Sequence, residues 1–247
     1  GIDRIVVEKV DGDTIHGSTF TVGGNTQEAV AVSNGATNAL PLTGPTVGAG
    51  AGVASVQVVD QGSPVSAELT SSVAGVYLGT HTTDSSVALT NNLQRAVAYG
   101  NSGANSLNVS ANSASVPLSE TPASVATPAA GTASVNAAYG VLSNQSVSGD
   151  VSAVADGRGV GPVGSQTVLI EGNVTRSTVS NQGNALVGAA YGNDVSNAAK
   201  LALGTGATVA GAASVGNVTS VQNVNGAAIT ASAPGGNVVS TAIEDNV

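Results

Sequence analysis

The chain has 247 residues, a net charge of −9 and only six Lys plus Arg, so no basic patch exists to neutralise phosphates and nucleic acid is excluded as a partner. Cys is absent, which removes disulfides, thiolate metal sites and a Cys nucleophile, and no apolar run reaches the roughly 18 residues of a membrane-spanning helix. Aromatic residues are 2% of a chain that is 41% hydrophobic, mostly Ala and Val, so a core here rests on many small contacts and a dense hydrogen-bond ladder.

Charged residues are 9% and mean hydropathy is +0.23, unlike a disordered chain, which pairs low hydrophobicity with high charge. Order in so plain an alphabet implies repetition, and its Val and Thr favour strands. The lack of Cys, Met and Trp beside abundant Ser, Thr and Asn points to a mature, secreted chain, extracellular or at the cell surface.

Residues 1–24 gather Asp3, Arg4, Glu8, Lys9, Asp11 and Asp13 around Ile2, Ile5 and Val7, and hold the one Phe, Phe20. The pattern predicts two strands with a tight connection at Asp11-Gly12-Asp13. They form a charged cap or subunit-joining arm, with Ile2, Ile5, Val7 and Phe20 as its assembly contacts. Asp11 and Asp13 are the candidate cation site, of calcium type, set against a plain structural turn; no other cofactor is expected.

Residues 25–114 form a repeat-containing β region. The string "NTQEAVAVSNGATNAL" at 25–40 returns as "NLQRAVAYGNSGANSL" at 92–107 and as "NALVGAAYGNDVSNAA" at 184–199. Asn25, Asn34 and Asn38 thereby recur as Asn92, Asn101 and Asn105, then as Asn184, Asn193 and Asn197. A weaker relative beginning at Val135 carries Tyr139, which is grouped with Tyr99 and Tyr191 as a repeat aromatic. Read as a strand, "QRAVAY" sets Arg95, Val97 and Tyr99 on one face and Gln94, Ala96 and Ala98 on the other. Asn in register either bonds from layer to layer in strands stacked about 4.8 Å apart, or marks turns, as at Asn34-Gly35 and Asn225-Gly226; both readings stay open.

Residues 115–134 carry three prolines and are predicted as a linker or protruding loop. Residues 135–247 form a second repeat-containing β region with an acidic tail, "TAIEDNV". Within it, 194–203 is the best helix candidate, with Asp194 as cap and Gly204 as stop. Val215, Val218, Val221 and Val224 recur every third residue, which predicts very short strands broken by corners. Coils of about 20 residues rising about 4.8 Å each give a body about 60 Å long.

Little here suggests catalysis. His16 and His81 are the two histidines, and His81 near Asp84 and many serines reads as an exposed loop residue. Asp150, Asp156 and Glu171 are not singled out by their spacing. No catalytic residue is assigned, and the chain is not expected to be an enzyme.

The strings "NNLQRAVAYGNSGANSLNVS" and "SNQGNALVGAAYGNDVSNAA" resemble curlin-type functional amyloid subunits and the holdfast-anchor adhesins of stalked alphaproteobacteria. The resemblance implies secretion, assembly at the cell surface and a role in adhesion or biofilm matrix. The expectation is therefore an all-β, repeat-based β-solenoid or stacked β-sheet subunit that assembles by strand exchange or edge to edge. It serves as a structural subunit of an extracellular fibre or adhesin, a homo-polymer with polysaccharide or surface contacts. The alternatives are a carbohydrate-binding or carbohydrate-cleaving β-helix, and a phage or surface-layer shell protein.

Overall fold

The computed structural model describes residues 4–9, 12–70, 72–116, 123–127, 131–135, 137–158, 165–204, 208–209, 215–234 and 239–244. Among these the regular structure is all strand, wound into three stacked turns, here termed rungs. The first rung holds β1 (Arg4–Lys9), β2 (Ile15–His16), β3 (Thr19–Gly23), β4 (Thr26–Val47), β5 (Ala51–Val59) and β6 (Val65–Leu69). The second holds β7 (Val73–Leu78), β8 (Thr82–Thr83), β9 (Ser86–Thr90), β10 (Leu93–Val116), β11 (Ala123–Thr127), β12 (Gly131–Val135), β13 (Tyr139–Val147) and β14 (Val151–Ala155). The third holds β15 (Gln166–Glu171), β16 (Val174–Thr175), β17 (Thr178–Gln182), β18 (Ala185–Leu203), β19 (Thr208–Val209), β20 (Gly216–Val224) and β21 (Ile229–Ser232).

Corresponding strands stack parallel and in order, as β4–β10–β18, β5–β13–β20 and β6–β14–β21, with β3–β9–β17 and β2–β8–β16 beside them. β22 (Val239–Glu244) lies under β15 and opens a fourth layer in the stack β1–β7–β15–β22. An antiparallel pair, β11 with β12, falls in the segment expected to be a linker or loop, between β10 and β13 of one rung. Along the long strands each residue lies over its equivalent 67 and then 92 positions further on.

A rung is thus far larger than the expected 20-residue coil. At about 3.3 Å per residue β10 is about 80 Å long, whereas three rungs about 4.8 Å apart span only about 10 Å from first backbone to last. The expected 60 Å column of small coils is replaced by a broad, shallow body. The repeated unit is one whole layer of a sandwich.

Each layer has a head and a body. In the head, β7, β9 and β15 enclose Val76, Leu78, Val87, Leu89, Val168 and Ile170. In the body, the long strands face the returning strands. Ala96 and Ala98 meet Val147 and Val151, and further along Leu107 and Val109 meet Tyr139 and Val141. Small side chains suffice in the middle rung because each core position there is walled above and below by its own equivalents.

The inward positions of β10 run Gln94, Ala96, Ala98 and then Asn101, Asn105, Leu107 and Val109, all nearly or fully buried. The alternation slips by one residue at Tyr99-Gly100, where the ladder pairs are interrupted in both neighbours, the mark of a stacked bulge. In the middle rung this position requires glycine, since a Cβ on Gly100 would lie 2.6 Å from the carbonyl oxygen of Gly192, whereas the first rung carries Ser33 at the same place.

Three sequence expectations change. Residues 194–203 are the second half of β18, not a helix; pairing along β10 outweighs a short helix that is marginal without packing. The Val215–Val224 stretch is not a set of broken short strands: Gly216–Val224 is the single strand β20, and the spacing of three puts Val218 and Val224 on its exposed face and Val221 on its half-buried one. Asn34-Gly35 lies within β4, whereas Asn225-Gly226 is at a corner with Gly226 at φ 68°.

Candidate functional site

The asparagines form three columns. Asn25 Nδ2 donates to Asn92 Oδ1 at 2.9 Å, and Asn92 Nδ2 to Asn184 Oδ1 at 2.9 Å. Asn34 donates to Asn101 at 2.9 Å and Asn101 to Asn193 at 2.7 Å. Asn38 donates to Asn105 and Asn105 to Asn197, both at 2.8 Å. Of the two readings left open by the sequence, the geometry at these nine positions is the ladder. The middle members are at most 2% exposed and the outer ones half-buried.

The columns have a direction. In the Asn34–Asn101–Asn193 column the second Nδ2 proton of each amide points to a carbonyl in its own rung: Val58 at 2.8 Å, Ser146 at 3.2 Å and Asn223 at 3.4 Å. That contact fixes which amide atom is the nitrogen in this column, so its Nδ2 atoms face the third rung and its Oδ1 atoms the first. The Asn25–Asn92–Asn184 column ends differently: Asn184 Nδ2 donates to the Leu89 carbonyl and to Asn181 Oδ1, which uses both its protons.

The corners repeat too. Gly17, Asp84 and Arg176 take φ of 60°, 51° and 49° at one corner, and Gly24, Asn91 and Gly183 take 69°, 55° and 68° at the next. Each is followed by a laddering residue. After the first corner come Ser18, Ser85 and Ser177, where Ser18 N–H donates to Ser85 Oγ at 3.1 Å and Ser85 N–H to Ser177 Oγ at 3.0 Å. Sequence reasoning missed this serine column. Its signal is the triplet Gly17-Ser18-Thr19, Asp84-Ser85-Ser86, Arg176-Ser177-Thr178, at the same offsets as the asparagines.

The aromatics divide. Tyr99 and Tyr191 stack with ring centroids 5.0 Å apart and planes 11° off parallel. Tyr139 does not belong with them: it opens β13, lies under Ala51 and over Gly216, and is fully buried with its hydroxyl unpartnered and its pKa raised by burial. The segment from Val135 is therefore not a fourth copy.

Glu28 and Arg95, the charge exchange between the first two repeats, form an ion pair across the rungs. His16 Nε2 lies 3.0 Å from Asp84 Oδ2, and Arg176 chelates the same carboxylate with two 2.7 Å bonds, holding Asp84 below its ordinary pKa. His81 is not paired with Asp84; its Nδ1 accepts the Asn173 N–H at 2.8 Å.

Of the expected assembly contacts, Ile5, Val7 and Phe20 pack against this chain's own head core, and Ile2 lies outside the described residues. β1, β2 and β3 are built into the first rung, each paired to the second, rather than forming a free arm. Asp11 lies outside the described residues, which leaves Asp13; among the described residues no three His, Asp or Glu side chains cluster to hold a metal ion. No helix among the described residues is long and apolar enough to cross a membrane.

The most extensive feature with chemical potential is the pair of open ends. The strands of the first rung and of the third, apart from β15, are edges of their stacks. Val30 and Val32 at one end are 56% and 48% exposed and Tyr191 at the other is 44% exposed, whereas Val97 of the middle rung, under Val30, is 4% exposed. Compared with known proteins, the chain matches no family model, no curated sequence and no solved structure.

Proposed function

We propose that this chain is a structural subunit that associates with copies of itself into an extracellular fibre or adhesin. The observation that carries the reading is a ladder-bonded, in-register stack of rungs whose two end layers offer long unpaired edges, β4 of 22 residues and β18 of 19. Such edges are templates for another strand, and ordinary monomers blunt them with charge, proline, bulges or short length; of these β4 carries Pro41, Pro45 and the stacked bulge. Here the free edges are long and nearly uncharged.

The carbohydrate alternative draws less support. It calls for acids converging on one groove, but Asp150 accepts the Ala228 N–H at 2.8 Å and Asp156 is held by Arg158, each in its own local contact. A location outside the cell fits a chain without Cys or Met, and the likeness of its repeats to surface-fibre subunits favours adhesion or matrix.

The test is concentration. Purified chain is followed by sedimentation velocity and negative-stain microscopy from micromolar to millimolar, where the expected result is filaments above a threshold. A monodisperse monomer throughout sinks the reading.

A further inference from the structure

Resting on that self-association reading, we infer that copies stack head to tail with one fixed polarity, third rung onto first, because the asparagine columns have a donor end and an acceptor end. At the third-rung end Asn197 Nδ2, whose Oδ1 is taken by Asn105, donates to nothing among the described residues. At the first-rung end Asn34 and Asn38 use their Nδ2 atoms within the chain and leave Oδ1 facing outward with no donor among the described residues. A second copy whose first rung lies on this third rung places Asn34 under Asn193 and Asn38 under Asn197, and these two columns continue with donor facing acceptor; the column ending at Asn184, whose Nδ2 protons are both used within the chain, adds no donor. Third rung against third rung sets donor against donor, and first against first sets acceptor against acceptor.

The neighbours of the columns fit the same arrangement. Because β4 and β18 align with β10 residue for residue, the junction registers Val187 with Glu28, Ala189 with Val30, Tyr191 with Val32, Asp194 with Gly35 and Ala199 with Leu40. No like charges meet. The exposed Val30, Val32 and Tyr191 gain the cover that Val97 already has, so the apolar area wasted at each end is removed from water. At the third-rung end a cavity of about 330 Å³ lined by Ala199, Leu201, Gly216 and Val218 lies on the axis where Leu40, Leu42 and Val53 would arrive. Pro41 and Pro45 offer no N–H, so the stretch of the incoming strand with every donor in place runs from Thr26 to Leu40, which contains Asn34 and Asn38.

One position is contested. β22 of the first copy and β1 of the second claim the same place beneath β15, so one of the two gives way when the ends meet.

The experiment uses Asn197→Asp in the full chain. The carboxylate still accepts from Asn105 Nδ2, so the monomer melts as wild type does. It has lost the outward donor, and it sets a charge against the outward Oδ1 of the next copy's Asn38. The concentration needed for filaments is expected to rise about tenfold or more. Added below stoichiometry to wild type, the variant shortens filaments: its first-rung end still joins, while its third-rung end accepts no successor. Asn193→Asp is the second variant: it keeps its bond from Asn101 but loses the 3.4 Å bond to the Asn223 carbonyl along with the outward donor, so its filament threshold is compared with wild type at a temperature where both are fully folded. Filaments from both variants at the wild-type threshold overturn the inferred polarity and leave self-association standing. Wild type that never assembles overturns self-association first, and the polarity with it.

Discussion

Asn101 Nδ2 donates to Asn193 Oδ1 at 2.7 Å while its other proton goes to the Ser146 carbonyl, so one side chain ties two rungs to each other and both faces of the sandwich together. Asn101 also accepts from Asn34 and is fully buried. Replacing it by Ala leaves the Asn34 amide and the Ser146 carbonyl without these partners in the interior. The expected cost is about 3 kcal/mol, against about 1 kcal/mol for Asn193→Ala at the half-buried end. Urea unfolding of the two variants measures the difference, and equal losses would mean the column carries no weight beyond its single bonds.

Gly103 and Gly24 separate two uses of glycine. A Cβ on Gly103 would lie 1.9 Å from the Ala36 carbonyl oxygen, inside the ladder, so Gly103→Ala forces two rungs apart and is expected to cost about 3 kcal/mol or more. Gly24 has open space around it but a φ of 69°, the conformation Asn91 adopts one rung on. Gly24→Asn is therefore expected to be nearly neutral and Gly24→Ala to cost about 1 kcal/mol. Thermal melting of the three variants ranks them.

How much of this was legible beforehand depends on the range of each signal. The recurring Asn25, Asn34 and Asn38 pattern exposed the repeat, because laddered side chains repeat in sequence as they do in space, whereas the preference for strands rested on Val and Thr content. The size of the rung was not legible as a local pattern: Asn34 and Asn101 are neighbours, yet β5 and β6 and the whole head lie between them. The inward turn of Asn101 and Asn105 was hidden as well, since a one-residue slip at Tyr99-Gly100 reverses simple alternation. Tyr139 misled because a shared Ala-Tyr-Gly string looks like a copy, whereas its stacking partners, Ala51 and Gly216, have no resemblance to it. The open ends left no motif at all, because an open edge is defined by the strand that is not beside it.

Glu28 and Arg95 explain the charge exchange between the first two repeats, but the pair is partly exposed, at 31% and 43% for the two side chains. A double-mutant cycle of Glu28→Gln with Arg95→Gln is expected to return a coupling below about 1 kcal/mol, shrinking in high salt. A larger, salt-insensitive coupling would show that the pair is shielded in solution, as by a copy stacked over the first rung.

Asp84 gives the fold a weak acid dependence. The guanidinium of Arg176, by its hydrogen bonds first and its charge second, holds the carboxyl below its ordinary 3.8, with the charge of His16 in support. A carboxyl whose folded pKa lies under its unfolded one adds stability above the unfolded value, and that stability is lost as pH falls through the folded one. Asp84→Asn keeps a residue suited to the φ of 51° and removes the charge together with one of the two oxygens that accept from Arg176. Wild type is expected to melt above the variant near neutral pH, with the gap closing below pH 3.8. A gap that persists in acid would assign the stability to corner geometry instead.

The contested place under β15 yields the last test. β22 pairs with β15 from Gln166 to Glu171, and in its own chain β1 holds the equivalent place on β7. A chain ending at Pro234 keeps the Gly157 N–H to Pro234 carbonyl bond of 2.9 Å and loses only the partial fourth layer. Its third rung is then open from β15 to β21, and an incoming β1 meets a free edge with its Ile5 and Val7 already seated in their own core. If β22 hinders stacking, the shortened chain assembles at a lower concentration than the full one, although its monomer melts lower for want of six paired residues. Weaker assembly by the shortened chain reverses the roles: β22 is then the strand passed between copies, and β1 is the one displaced.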